Sequence, residues 1–219
     1  MKFFLDSAHY GALIKAKETG LLEGVTTNPS LLSKEGRKPV ELIKKISQLI
    51  APYDVSVEVT EKDSRSVYSQ AHAIAALGSN VVVKIPCHPD YLPVIAKLTQ
   101  EGVPLNITLM FSAIQGLCMA KLKVKYISPY IGRLDDIDCD GLEVIKDLRH
   151  MLDLYCYETQ ILAASIRSVR HIHDAALMGA DCATIPFELF EHMLDHPLTD
   201  KGIDLFDKDW KRLAIDKFP

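Results

Sequence analysis

The 219-residue sequence has no Cys-x-x-Cys pair, no Walker or dinucleotide-binding glycine motif, and no uninterrupted apolar run of the ~18 residues that a membrane span requires. Each absence removes a class: zinc knuckles, nucleotide cofactors and spanning helices have no support, and neither a cofactor nor a metal is called for. The net charge of -4 is slight, so nothing draws the chain broadly to nucleic acid or to an anionic membrane. Five cysteines (Cys87, Cys118, Cys139, Cys156 and Cys182) are scattered singly and are expected to be reduced, mostly core thiols. In the opening MKFFLD, Asp6 interrupts the apolar residues too early for a secretory signal, so a cytoplasmic protein is expected.

What is present is a repeating pattern. With 48% hydrophobic and 25% charged residues, the composition suits one globular domain over residues 1–219. Eight runs rich in Val, Ile and Phe recur at intervals of 22 to 34 residues: KFFLD, GVTT, VSVEV, VVVKIP, PLNITLM, YISPYI, QILAAS and CATIP. Helical patterns lie between them. Over 63–78, Asp63 or Ser64 caps a stripe of Val67, Ala71, Ile74 and Ala75, with Gly78 as the stop. Leu142, Ile145, Leu148 and Leu152 make another stripe, and Gly20 and Gly179 follow helical segments where a stop is expected. Eight strand–helix units predict an α/β fold, the closed (β/α)8 or TIM barrel. The tail adds the last barrel helix and one more amphipathic helix at about 200–214, whose Ile203, Phe206 and Trp210 could pack on its own barrel or on a neighbouring subunit.

A parallel barrel places its active site at the C-terminal ends of the strands. There the sequence sets Asp6, Asn28, Glu58, Lys84, Asn106, Thr108, Ser128, Tyr130, Arg133, Ser165 and Arg167. Asn106 with Thr108, Ser128 with Tyr130, and Ser165 with Arg167 are spaced i, i+2, which puts both members of a pair on one strand face, expected to be the lumen. A single strand-end lysine ordinarily just reaches water. Seven strands ending in polar residues are a poor fit to coincidence.

Lys84, in the apolar run VVVKIP, is expected to lose hydration and so to have a lowered pKa, which frees its amine to attack a carbonyl and form a Schiff base. Asp6 then suits general acid/base work on a substrate hydroxyl, and Glu58 with Thr108 suits holding a proton-relaying water. Arg133, Ser165 and Arg167 suit a phosphate, through charge-assisted hydrogen bonds of about 1.5–3 kcal/mol each. A phosphorylated ketose is the expected substrate.

GVTTNPSLL, VVVKIP, LNITLMFS, SPYIGRLDD, LAASIRS and HPLTDKGIDLFDKDW together resemble the small transaldolases and the related fructose-6-phosphate aldolases, from Lys2 to Trp210. The resemblance implies a class I aldolase-type barrel of the pentose phosphate pathway, with Lys84 on the ketose C2 and Asp6 driving cleavage between C3 and C4. A transaldolase keeps the dihydroxyacetone unit on the lysine until an aldose phosphate accepts it; an aldolase releases it. Asn28, Asn106 and Ser128 join the substrate-binding set. The resemblance also implies a pentamer or decamer. Glu58, Asn106, Ser128 and Arg167 match the transaldolases, whereas Tyr130 matches the aldolases, because transaldolases usually carry phenylalanine there. A non-catalytic sugar-phosphate-binding barrel is the alternative from another class, although binding alone needs none of Lys84, Asp6 and Glu58.

Other signals are weaker. DIDCDGLEVIKD opens like an EF-hand loop, but it lacks the final glutamate and follows a strand, so a solvated loop at the barrel mouth is expected. His171 and His173, two apart on a helix, point away from each other and read as surface histidines. KLKVKY reads as a helix end leading into the sixth strand.

Overall fold

The computed structural model describes residues 1–36 and 38–213. Among these, eight parallel strands follow one another in order: β1 (Lys2–Asp6), β2 (Leu22–Thr26), β3 (Asp54–Glu58), β4 (Val81–Pro86), β5 (Leu105–Met110), β6 (Tyr126–Pro129), β7 (Gln160–Ala163) and β8 (Cys182–Ile185). β8 pairs back onto β1, so the sheet closes into the expected TIM barrel, and each of the eight apolar runs supplies one strand.

Strand alternation explains the composition of VVVKIP. Val81, Val83 and Ile85 join the large core between the sheet and its helices, with Leu5, Val25, Ile107 and Ile127. Val82 points the other way, into a separate cluster with Phe4, Tyr126, Leu162 and Cys182 that fills the floor of the lumen. Phe4 and Tyr126 meet there edge to face, with ring centroids 5.8 Å apart. Lys84 shares the inward face with Val82 and stands one layer above this apolar floor.

The helices follow the expected stripes. Ser64–Ala75 starts from Asp63, whose side chain accepts from the Ser66 N–H, and it buries Val67, Ala71 and Ile74. It ends before Gly78, which serves packing instead: a Cβ there would meet Ser47 Oγ at 2.0 Å. Gly20 and Gly179 take positive φ at helix ends, as expected. The helix Gly141–Leu154 buries Ile145, Leu148 and Leu152.

After β8, the five-residue helix Phe187–Glu191 completes the barrel and a second helix runs over Pro197–Lys211. It begins slightly earlier than the expected 200–214, and Ala214 lies outside the described residues. None of the helix's residues is buried, and Ile203 and Phe206 are 61% and 72% exposed. The cysteines also depart from expectation, since Cys118, Cys139 and Cys156 are exposed and only Cys182 is buried. Cys139 lies in the short link before the helix Gly141–Leu154 and Cys156 in the turn after it, both at the surface. Burial pushes the half-buried Cys87 thiol up to about 11, with Cys118 adding to the effect, so it is not a neutral-pH nucleophile. Among the described residues, no helix is long and apolar enough to cross a membrane.

Gly24 on β2 lies against the Phe4 ring, where a Cβ would come within 2.5 Å. Gly24→Ala is expected to cost about 1–3 kcal/mol through overpacking, read as a Tm lowered by roughly 2–12 °C. An unchanged Tm would mean that the lumen floor yields freely.

Candidate active site

The C-terminal ends of the strands surround a cavity of about 130 Å³. Asp6, Asn28, Lys84, Ser128, Tyr130, Arg133 and Ser165 line it, joined by Thr26 and Thr184. β3 and β4 pair with Glu58 opposite Lys84, and β4 and β5 pair with Lys84 opposite Asn106, so the register itself assembles the inner ring.

Lys84 is only 4% exposed. Its Nζ lies 3.1 Å from Glu58 Oε2 and donates to the Thr27 carbonyl at 3.2 Å. The expectation of a lysine with lowered pKa is not met. Desolvation, the largest single influence, does pull it down, but Tyr130, Glu58 and Asp6 together outweigh it and hold the ammonium above its ordinary value. The sequence reading counted burial without the acidic neighbours that three other strands bring in. Asp6 shifts up as well: burial dominates, while Lys84 and a hydrogen bond from Thr26 oppose it. A charged amine thus shares the site with a carboxyl group of raised proton affinity.

A second layer fixes the walls. Asn106 donates to Ser56 Oγ at 3.0 Å and accepts from Ser128 Oγ at 2.6 Å, tying β3, β5 and β6 together. Thr108 donates to the Tyr130 hydroxyl at 3.0 Å. β5 changes register between Ile107 and Met110, with Leu109 at φ 52, so Thr108 is the last residue aimed inward before the strand kinks. The Arg133 guanidinium stands 4.9 Å from the centre of the Tyr130 ring. Asn28 caps the helix Pro29–Lys34 by accepting from the Leu31 N–H, which leaves its amide NH2 for the cavity.

Two of the three spaced pairs share a face as expected, whereas Ser165 and Arg167 do not. β7 ends at Ala163 and Ser165 adopts φ 61, so the period of two no longer applies beyond the strand. Ser165 lines the cavity while Arg167 stands outside it at the rim. There Arg167 is paired end-on with Asp136, at 2.9 Å and 2.6 Å. Gly132 permits this arrangement, since a Cβ at that position would lie 2.2 Å from the Ser165 carbonyl and 2.7 Å from Arg167 Cγ. His171 also belongs to the rim, pairing with Asp135 at 3.3 Å and accepting from the Arg167 N–H, whereas His173 stays on the surface. The EF-hand-like segment meets the loop expectation only over residues 136–140, which are exposed; from Gly141 onward it is the start of the helix Gly141–Leu154, because Asp140 caps that helix by accepting from the Leu142 N–H, and Asp136 is taken up by Arg167.

Sequence reasoning missed Thr26, Thr184, Ser56 and the Thr27 carbonyl. Thr26 stands two residues before Asn28, and Thr184 lies in mid-strand in CATIP. The period-two argument applied to GVTT and CATIP would have placed both in the lumen.

A family model described as transaldolase/fructose-6-phosphate aldolase matches residues 3–217. Proteins described as "Probable transaldolase" are similar along the whole length. The one from Lactiplantibacillus plantarum is 47% identical over 211 residues, covering 96% of this chain and 97% of that protein. The one from Aquifex aeolicus is 44% identical over 218 residues, covering all of both. The chain belongs to the transaldolase/fructose-6-phosphate aldolase family. This family member shares its fold more widely: a crystal structure of 3-hexulose-6-phosphate synthase superposes with a TM-score of 0.65 at 12% identity, covering 88% of this chain and 98% of that one.

The upward shift of Asp6 has a sign that stability measurements can read. A carboxyl group with raised folded-state pKa stabilises the fold below its ordinary 3.8, and that contribution is lost as pH rises through the folded value. Asp6→Asn is therefore expected to be more stable than the parent at pH 7, by about 0.5–2 kcal/mol, with the gain vanishing at acid pH. A lower Tm for the variant at pH 7 would contradict the shift.

Proposed function

We propose that this protein transfers a dihydroxyacetone unit from a ketose phosphate, fructose 6-phosphate or sedoheptulose 7-phosphate, to an aldose phosphate through a Schiff base on Lys84. The observation that carries the reading is a buried lysine 3.1 Å from Glu58, in one cavity with Asp6 and Arg133. Because its neighbours hold Lys84 charged, the first step is loss of a proton, which Glu58 is placed to take. The freed amine adds to the C2 carbonyl, and loss of water gives the iminium. Asp6 then accepts the proton of the C4 hydroxyl, the C3–C4 electron pair moves into the iminium, and the aldose phosphate leaves an enamine behind. The enamine attacks the acceptor aldehyde, Asp6 returns its proton to the new hydroxyl, and water hydrolyses the imine. Thr108, with Glu58, holds the water that relays protons. Asn28, Asn106 and Ser128 hold the hydroxyls of the three-carbon unit; Arg133 and Ser165 receive the phosphate, joined by Arg167 once Asp136 gives way. No cofactor or metal takes part in this scheme.

The same reading places the exposed helix Pro197–Lys211 on a neighbouring copy, within a pentamer or decamer, where Leu198, Ile203 and Phe206 would leave water. It also carries a cytoplasmic location, which suits three exposed free thiols.

Fructose-6-phosphate aldolase activity is favoured by one feature, Tyr130. Its hydroxyl is held by Thr108 at 3.0 Å inside the cavity and can supply the proton that releases dihydroxyacetone from the enamine.

Incubation with fructose 6-phosphate followed by borohydride is expected to label the protein at Lys84 and to leave Lys84→Ala unlabelled. Label in that variant would place the nucleophile elsewhere, and no label in the parent would favour a non-catalytic sugar-phosphate-binding barrel. Tyr130→Phe is expected to raise the ratio of transfer to free dihydroxyacetone release by roughly tenfold or more, measured with and without erythrose 4-phosphate. A ratio that stays constant or falls would remove the phenol from the release step.

A further inference from the structure

We propose that Thr184 is a positioning residue: it aims the hydroxyl proton of Thr26 at Asp6 and thereby keeps Asp6 ready to act as a base. The proposal rests on the reading of Asp6 as the acid/base of the reaction. In the closed sheet β2 and β8 both pair with β1, Asp6 opposite Thr26 and Phe4 opposite Thr184. The two threonine side chains meet in front of β1, with Thr26 Oγ1 2.6 Å from Thr184 Oγ1 and 2.8 Å from Asp6 Oδ1. Both threonines are buried, at 2% and 4% exposure.

Proton counting gives the direction of the chain. A hydroxyl has one proton to donate, and a carboxylate can only accept. Thr26 therefore gives its proton to Asp6, and Thr184 must give its own to Thr26. Without Thr184, the Thr26 hydroxyl is free to rotate away, and Asp6 loses the donor that opposes its burial. The other charged and titratable groups facing Asp6 sit elsewhere: Lys84 on β4, Tyr130 and Arg133 across the cavity, and Glu58 beyond Lys84. Thr184 acts on Asp6 through Thr26 and not through any of them.

The test follows the Asp6 carboxyl carbon by NMR titration of the full chain, beside pH profiles of kcat and KM for fructose 6-phosphate with erythrose 4-phosphate. In Thr184→Val the Asp6 midpoint is expected to move up by about 0.5–1 pH unit, and the acid limb of kcat to move with it. On that limb kcat falls roughly three- to tenfold while KM changes little, and Thr184→Ser restores the parent behaviour. An Asp6 midpoint that stays put or moves down overturns the proposal, even where Tm and kcat drop, because a purely packing role would do just that. A midpoint that moves without the acid limb following leaves the relay standing and removes Asp6 from the chemistry. Should the valine variant fail to fold, Thr184→Ala deletes the same hydroxyl with less bulk and is read the same way.

Discussion

Much of this barrel is organised around one electrostatic constraint: an ammonium and two carboxyl groups share a largely desolvated space at the mouth. Removing each ion from solvent costs several kcal/mol, and only close, fixed partners offset that cost. The register of β3 against β4 sets Glu58 beside Lys84, and Asp6 acts on the same lysine from β1. Lys84 holds its proton more tightly than usual because of these partners, whereas Asp6 has a raised affinity for one because burial outweighs the opposing pull of Lys84. Such a set is poised to pass protons among its members, which is what imine formation and cleavage of a carbon–carbon bond both demand.

The scaffold limits how far these groups can drift. The ring Ser56, Asn106 and Ser128 is wholly buried and bonded across three strands, just above an apolar floor. Groups on strands therefore have fixed positions, whereas Arg133 sits on the short helix Ile131–Asp135 beyond β6 and Arg167 on the connecting segment after β7. On the proposed reading, precision is concentrated where bonds would change, and latitude where a distal phosphate would be held. Tyr130 stands at the boundary, bridged from β5 and stacked under an arginine.

How much of this was legible in the sequence depended on whether a rule of local periodicity applied. Alternation in VVVKIP, PLNITLM and YISPYI places Lys84, Asn106, Thr108, Ser128 and Tyr130 inward, and they are inward. At LAASIRS the same rule was carried past the end of β7, into a stretch where Ser165 turns left-handed, and Arg167 came out at the rim. The direction of the Lys84 shift was out of reach for a different reason: burial can be inferred from neighbours in sequence, whereas opposing charges arrive from strands tens of residues away. Thr184 was passed over because a hydroxyl in mid-strand looks like an ordinary β residue until its cross-barrel partner is known.

The pair between Arg167 and Asp136 bears on recognition at a distance. An arginine already matched by a carboxylate projects little field into solvent, so the rim does not draw every passing anion. A phosphate that reaches Arg167 does so by exchange, one anion stepping out as another steps in, and its net gain is the difference between two similar attractions. On the proposed reading, selectivity at this mouth would come from fit to the inner cavity rather than from charge, since sulfate or free phosphate meets a rim whose Arg167 is already matched by Asp136.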